Sequence, residues 1–278
     1  MSLQIQTLGK TQVLLNKSPA TFKSKTAEEL FFYLLAHPEG KTKEKIFEDL
    51  WCVEPNKDSN NRFRVSVHRI RSALNHEKAV LERFERYFVH PEVLAATDLH
   101  RLYLALEQTK LTSADEVANL AAYQKLIALY TGDFLPEIGA SWASELREEL
   151  RGIYIRANLE LSMLHCNAGA CEGAVSALVR ALRLDPFIGE NYHQKLMTCL
   201  SVVEGKYAAI EHYRRFLEFL RKELSDTPMP ETLELAERIK NGEQICKPLI
   251  LRLTNNCPFS SDGSCVGEIR NHKGWASV

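Results

Sequence analysis

Two stretches of this chain align with each other at a fixed offset of 36 residues. They are GACEGAVSALVRALRLDP, from Gly169, and GKYAAIEHYRRFLEFLRKEL, from Gly205; Gly169 matches Gly205, Cys171 matches Tyr207, Ala174 matches Ile210 and Ala181 matches Leu217. A repeated helical unit of this length cannot bury its apolar face alone, so it must stack on neighbouring units. The period is close to the roughly 34 residues of tetratricopeptide repeats, with a loop absorbing the difference. Asp185-Pro186 stands where such a unit ends a helix and turns. IGENYHQKLMTCLSVV then reads as the first helix of the second repeat, and PETLELAERIK as a terminal helix that caps the stack. Upstream the pattern is helical from Asp98: DLHRLYLALEQ, then SADEVANLAAYQKLIALY, a TGDFLP turn, and a long helix from Ser141 to about Asn167.

The first hundred residues read differently. LQIQTLGKTQVLL alternates at Leu3, Ile5, Val13 and Leu15 around Gly9-Lys10, which predicts strands joined by a turn. TAEELFFYLLAHPEG predicts a strongly apolar helix, with Thr26 and Glu29 in capping-box spacing. KTKEKIFEDLW predicts a second helix capped by Thr42, with Ile46, Phe47, Leu50 and Trp51 inside. After the polar loop CVEPNKDS comes a third helix, NNRFRVSVHRIRSALN, and then a hairpin with apolar strands Val80-Leu81 and Tyr87–Val89 around Arg83 to Arg86.

The third helix carries four arginines and a histidine over Asn60–Asn75, with no carboxylate. At about 100° per residue, Phe63, Val67, Ile70 and Leu74 share a face that must be buried. Asn61, Arg62, Val65, His68, Arg69 and Ser72 lie opposite, with Arg64 and Arg71 on one flank. An ordinary solvated helix mixes charge signs to gain i,i+4 pairs; this one forgoes them. Its outer face suits a major groove, where Arg reads guanine, Asn reads adenine and a small apolar group meets the thymine methyl. Arg71 on the flank suits phosphate. Thr42 and Lys43, at the start of the second helix, stand where free backbone N–H groups favour an anion. Two helices before the basic one and a hairpin after it make the order of a winged helix-turn-helix.

The net charge of −1 conceals an asymmetry. Residues 1–95 hold 15 basic against 12 acidic side chains, residues 96–244 hold 16 against 22, and the last 34 hold 4 against 2. A mildly basic start and an acidic middle imply two tasks. Seven scattered cysteines argue against a disulfide framework, and Cys166, Cys171 and Cys199 read as small buried apolar residues. No signal peptide and no apolar run of about 20 residues is present, which predicts a cytoplasmic protein without a membrane span. No nucleotide-binding, hydrolase or metalloprotease motif occurs, so neither enzymatic activity nor a cofactor is expected. The last segment carries Cys257, Cys265 and His272 with Cys246 upstream; Cys-x7-Cys matches no structural zinc spacing, so no metal is expected.

Taken together, the two halves resemble the SARP-type (antibiotic regulatory protein) activators, which join a winged helix of the OmpR type to a bacterial transcriptional activation domain of tetratricopeptide-like helices. The resemblance covers about residues 3–240 and rests on NNRFRVSVHRIRSAL, YFV at Tyr87, TDLHRL, LIALYTGDFLPEI with Trp142 following, and ALRLDPFIGENYHQKLM, most specifically Tyr130 to Pro136. It implies a mainly α protein: a winged helix-turn-helix DNA-binding domain over 1–97, a helical-repeat activation domain over 98–244 and a tail over 245–278. It further implies binding to direct repeats in double-stranded DNA near promoters, recruitment of RNA polymerase, and self-association on DNA. Arg86 of the hairpin joins the DNA-contacting set. Two positions depart from the family: Glu85-Arg86 stand where its wing carries glycines, and Cys171 stands where its first repeat has an aromatic. The alternative is a helical-repeat adaptor whose winged helix contacts proteins.

Overall fold

The computed structural model describes residues 2–246. They form two compact units, each assembled from two stretches of chain: residues up to 111 with 125–152, and 112–124 with residues from 153 onward. No helix among the described residues is long and apolar enough to cross a membrane.

In the first unit, β1 (Leu3–Gln6), β2 (Gln12–Leu15) and β3 (Ser18–Pro19) form an antiparallel sheet in that order, with Leu3 opposite Leu15 and Ile5 opposite Val13. Helices α1 (Lys25–Ala36), α2 (Lys43–Trp51) and α3 (Lys57–Leu74) follow. A second sheet of β4 (Lys41–Thr42), β5 (Val80–Arg83) and β6 (Arg86–Val89) has the order β4-β6-β5. Leu30 through Leu35 are all buried, so α1 is apolar around its circumference and forms the centre of this unit. Its cap is Ser24, whose hydroxyl accepts from the Ala27 amide at 3.3 Å. The expected Thr26–Glu29 capping box does not form, because the backbone is extended at Ser24 and Thr26 already lies in the first turn. Thr42 does cap α2, its hydroxyl accepting from the Lys45 amide. Phe63, Val67, Ile70 and Leu74 are buried on α3 as their spacing predicts, and Tyr87 of β6 meets Phe63 edge-on at 4.7 Å.

A short helix α4 (Pro91–Ala95) leads to α5 (Asp98–Leu111). The buried Asp98 carboxylate closes this unit. It accepts from the Thr7 amide at 2.9 Å, the Thr7 hydroxyl at 2.7 Å, the Leu8 amide at 3.0 Å and the Leu99 amide at 2.9 Å. The segment Thr131–Leu135 continues the same seam. The Thr131 hydroxyl donates to the Leu8 carbonyl (2.7 Å), the Gly9 amide to the Asp133 carbonyl (2.8 Å) and the Leu135 amide to the Thr7 carbonyl (2.7 Å). The approach leaves no room for side chains: a Cβ on Gly132 would lie 2.8 Å from the Gly9 Cα. Arg147 donates to the carbonyls of Phe134, Leu135 and Ile138, each at 3.0 Å, and Arg151 pairs with the Asp133 carboxylate. A chain cut after residue 97 therefore loses every one of these partners of Thr7–Gly9.

Helices α6 (Glu116–Leu129) and α7 (Ser141–Asn167) each run through both stretches. The second unit adds α8 (Cys171–Leu184), α9 (Glu190–Val203), α10 (Lys206–Phe219), a π-helical turn Leu220–Leu224 and α11 (Pro230–Lys240). The repeat offset appears in the backbone: Gly169 (φ 73°) and Gly205 (φ 88°) both take positive φ just before α8 and α10. The side chains diverge, with Cys171 buried and Tyr207 exposed. Leu235, Ala236 and Ile239 of α11 enter the same core as α8–α10.

Two polar clusters lie inside this core. Cys166, Cys171 and Cys199 are buried as expected, and hydrogen bonding of the Cys199 thiol to the other two sulfurs, with burial, pushes its pKa up. His193 Nε2 donates to the Pro186 carbonyl at 3.2 Å, which leaves its Nδ1 to accept from His212 Nε2 at 3.3 Å. The His193 ring stacks on Phe216 at 4.0 Å. Burial lowers the pKa of both imidazoles, that of His212 to about 4.

Replacing Asp98 by Asn puts an amide N–H among amide donors and should cost about 1–3 kcal/mol for each donor left unsatisfied, read as a lower urea midpoint. The histidine pair gives a pH test. The folded state binds these protons less readily than the unfolded chain, so its contribution is fully present above pH 6.5, the ordinary value, and is lost as pH falls toward about 4. Thermal melts across that range should show the decline, and His212→Phe should flatten it.

Candidate nucleic-acid interface

Helix α3 begins earlier than the basic stretch. The Asn56 side chain accepts from the Asp58 and Ser59 amides at 2.9 Å, while the Ser59 hydroxyl accepts from the Asn56 amide at 2.8 Å, a reciprocal cap that fixes the first turn. Asn75 ends the helix in the left-handed conformation (φ 47°). Between them, Asn61, Arg62, Arg64, Val65, His68, Arg71 and Ser72 are exposed and Arg69 is half-buried. The structure thus brings the expected outer face together on one exposed surface. Among the described residues, no arginine of α3 is in an ion pair.

Several members of the set are nevertheless engaged within the unit. The Arg62 guanidinium lies 4.4 Å from the Trp51 ring centroid. Arg71 donates to the Val80 carbonyl at 2.9 Å and so ties α3 to the hairpin. Arg86 donates to the Gly40 carbonyl at 2.9 Å. Lys43 Nζ sits 5.3 Å from the Tyr87 ring and 5.9 Å from the Phe63 ring. At the start of α2, the carboxylate of Glu44 already occupies the first turn beside Thr42 and Lys43, where it complements the helix dipole and opposes a second anion. Asn61, Val65, His68, Arg69 and Ser72, with Arg64 at their flank, form the part of the face with no such tether.

Sequence reasoning missed the Trp51 platform, because it pairs two helices across a loop. It also missed the wing tip. The hairpin turn is only Phe84-Glu85, with Arg83 and Arg86 paired in the strands rather than in the loop.

One further cluster has ligand-bearing atoms close together: His76, His90 and Glu92, within 4.8 Å. Its chemistry does not fit a cation. His76 Nδ1 accepts from the Lys78 amide (3.1 Å) and His90 Nδ1 from the Glu92 amide (3.2 Å). A neutral imidazole that accepts at Nδ1 carries its proton on Nε2, leaving no lone pair there for a metal. The cluster instead fastens the chain after α3 to the start of α4. Of the tail cysteines, Cys246 is buried, while Cys257, Cys265 and His272 lie outside the described residues.

Residues 97–240 match the family model of the bacterial transcriptional activator domain. Among solved structures, the fold resembles Mycobacterium tuberculosis EmbR in complex with a low affinity phosphopeptide, at 17% identity and a TM-score of 0.69. That likeness covers 87% of this chain and 65% of that one. No curated protein matches the sequence. The observed elements are those of a winged helix followed by helical repeats.

The tether of Arg71 separates folding from binding roles. Arg71→Ala should lower the urea midpoint by the equivalent of about 1 kcal/mol, the net worth of one hydrogen bond, whereas Arg64→Ala should leave it unchanged.

Proposed function

The chain belongs to the bacterial transcriptional activator domain family, and from that premise we propose that it is a transcription regulator of the SARP type that binds double-stranded DNA sequence-specifically through α3 and activates transcription. The observation that carries this reading is the exposed face of α3, where Asn61, Val65, His68, Arg69 and Ser72 stand without a carboxylate partner. Arg62 is expected to leave Trp51 for a base edge, and Arg64, Arg71, Arg86, Thr42 and Lys43 are expected along the phosphates. Glu44 makes the contact at Thr42 and Lys43 the weakest of these.

A single winged helix reads few base pairs, so two copies on direct repeats would multiply the discrimination. Sites on one face of the DNA would then lie about 10–11 base pairs apart, one helical turn. The acidic balance over residues 96–244, 16 basic against 22 acidic side chains, makes this part a poor DNA partner. Its repeats support contact with RNA polymerase or with the neighbouring copy. Such a protein acts in the cytoplasm.

The test is selection of duplexes from a random pool by the full chain. A recovered consensus with half-sites one turn apart is expected. On that duplex, Arg69→Ala should lose about 1–3 kcal/mol of discrimination at one base pair, measured as the affinity ratio between the selected site and its single mismatch. An unenriched pool would reject DNA binding and leave the adaptor alternative.

A further inference from the structure

The tip of the wing is built against its own backbone preference. Phe84 (φ 50°) and Glu85 (φ 61°) both lie in the left-handed region, joining Arg83 directly to its cross-strand partner Arg86. A two-residue hairpin loop of this kind favours Asn-Gly, Asp-Gly or Gly-Gly, because larger L-residues meet steric strain at positive φ. This loop instead displays a phenylalanine that is 84% exposed, the most exposed large apolar side chain among the described residues. Both the strain and the exposure disfavour the isolated protein. A costly backbone that holds a large ring in water is the pattern expected of a contact made to something else.

The surroundings of the ring indicate what that is. The Arg83 guanidinium lies 5.1 Å from the Phe84 centroid. Arg83 and Arg86 stand opposite each other in the ladder, a like-charge pairing that is unfavourable unless an anion relieves it. Of the two neighbouring carboxylates, Glu82 is held by the Tyr87 hydroxyl, and Glu85 stays exposed at the tip. The hairpin is fixed to the reading helix, with Tyr87 packed on Phe63 and Arg71 bonded to Val80. An apolar ring with a guanidinium beside it, on the same unit as the proposed reading helix, has the composition of the wedges that proteins insert into the minor groove to unstack a base step and bend the duplex.

We propose that Phe84 is such a wedge: it enters the minor groove beside the segment read by α3 and adds recognition through the deformability of the step it opens. Arg83 leaves the ring for a flanking phosphate. Glu85 opposes the approach, so the contact depends on the ring rather than on net charge. The inference rests on the DNA-binding reading of α3.

The experiment uses the full chain and the duplex it selects from a random pool, labelled at both ends for energy transfer. Wild type should bind and shorten the end-to-end distance. Phe84→Ala should keep the preference for the selected site while losing about 5- to 150-fold in affinity, the range of base–aromatic stacking, and should lose the bend. Phe84→Trp should restore both, and Glu85→Gln should bind more tightly than wild type. Phe84→Gly should unfold at a higher urea concentration than wild type yet share the binding defect, because glycine relieves the turn and removes the ring. If wild type binds its duplex and Phe84→Ala matches it in affinity and bend, the wedge is overturned while DNA binding by α3 stands. If wild type enriches no duplex, the DNA-binding reading fails and the wedge with it.

Discussion

The first unit depends on one buried carboxylate. Asp98 gathers the amides of Thr7, Leu8 and Leu99 and the Thr7 hydroxyl, donors that leaving the sheet strands β1 and β2 would otherwise strand in the interior. A buried amide without a partner is costly, and a carboxylate accepts from several donors at once where an amide side chain cannot. This joins the end of β1 to the start of α5. The Thr131–Leu135 segment, held by Arg147 and Arg151, then completes the seam. The sequence most specific to the family resemblance, Tyr130 to Pro136, thus acts as a structural clasp. Its consequence is that the packing unit is not a contiguous stretch of chain: residues 125–152 belong with the winged helix.

Helix α3 shows a division of labour among like residues. The wheel separates two outward arginines from two flanking ones, and the structure divides each pair again: Arg62 lies on Trp51 and Arg71 holds the hairpin through Val80, while Arg69 and Arg64 are untethered. The wing's tip gives up turn stability to hold Phe84 in solvent, while its base is secured by Tyr87 against Phe63 and by Arg86 against Gly40.

The second unit holds cysteine thiols and two imidazoles inside it as neutral groups. Three thiols share hydrogen bonds, and two imidazoles form a chain that ends on the Pro186 carbonyl at the turn between α8 and α9. A neutral imidazole pair buried beside Phe216 avoids the desolvation that a charged pair would suffer.

The sequence by itself determined the local elements and their faces. The α3 core residues follow from a 3.6-residue period, the helices α8 and α10 from the offset of the repeats, and the Thr42 cap from its place before an apolar run. Periodicity encodes these because they are set by neighbours along the chain. Only the tertiary structure decided what distant residues do to one another. Arg62 rests on Trp51, Asp98 collects the end of β1, and Cys166, Cys171 and Cys199 meet. Each of these depends on the relative placement of elements, which is fixed by the packing of whole faces and not by the identity of any one residue.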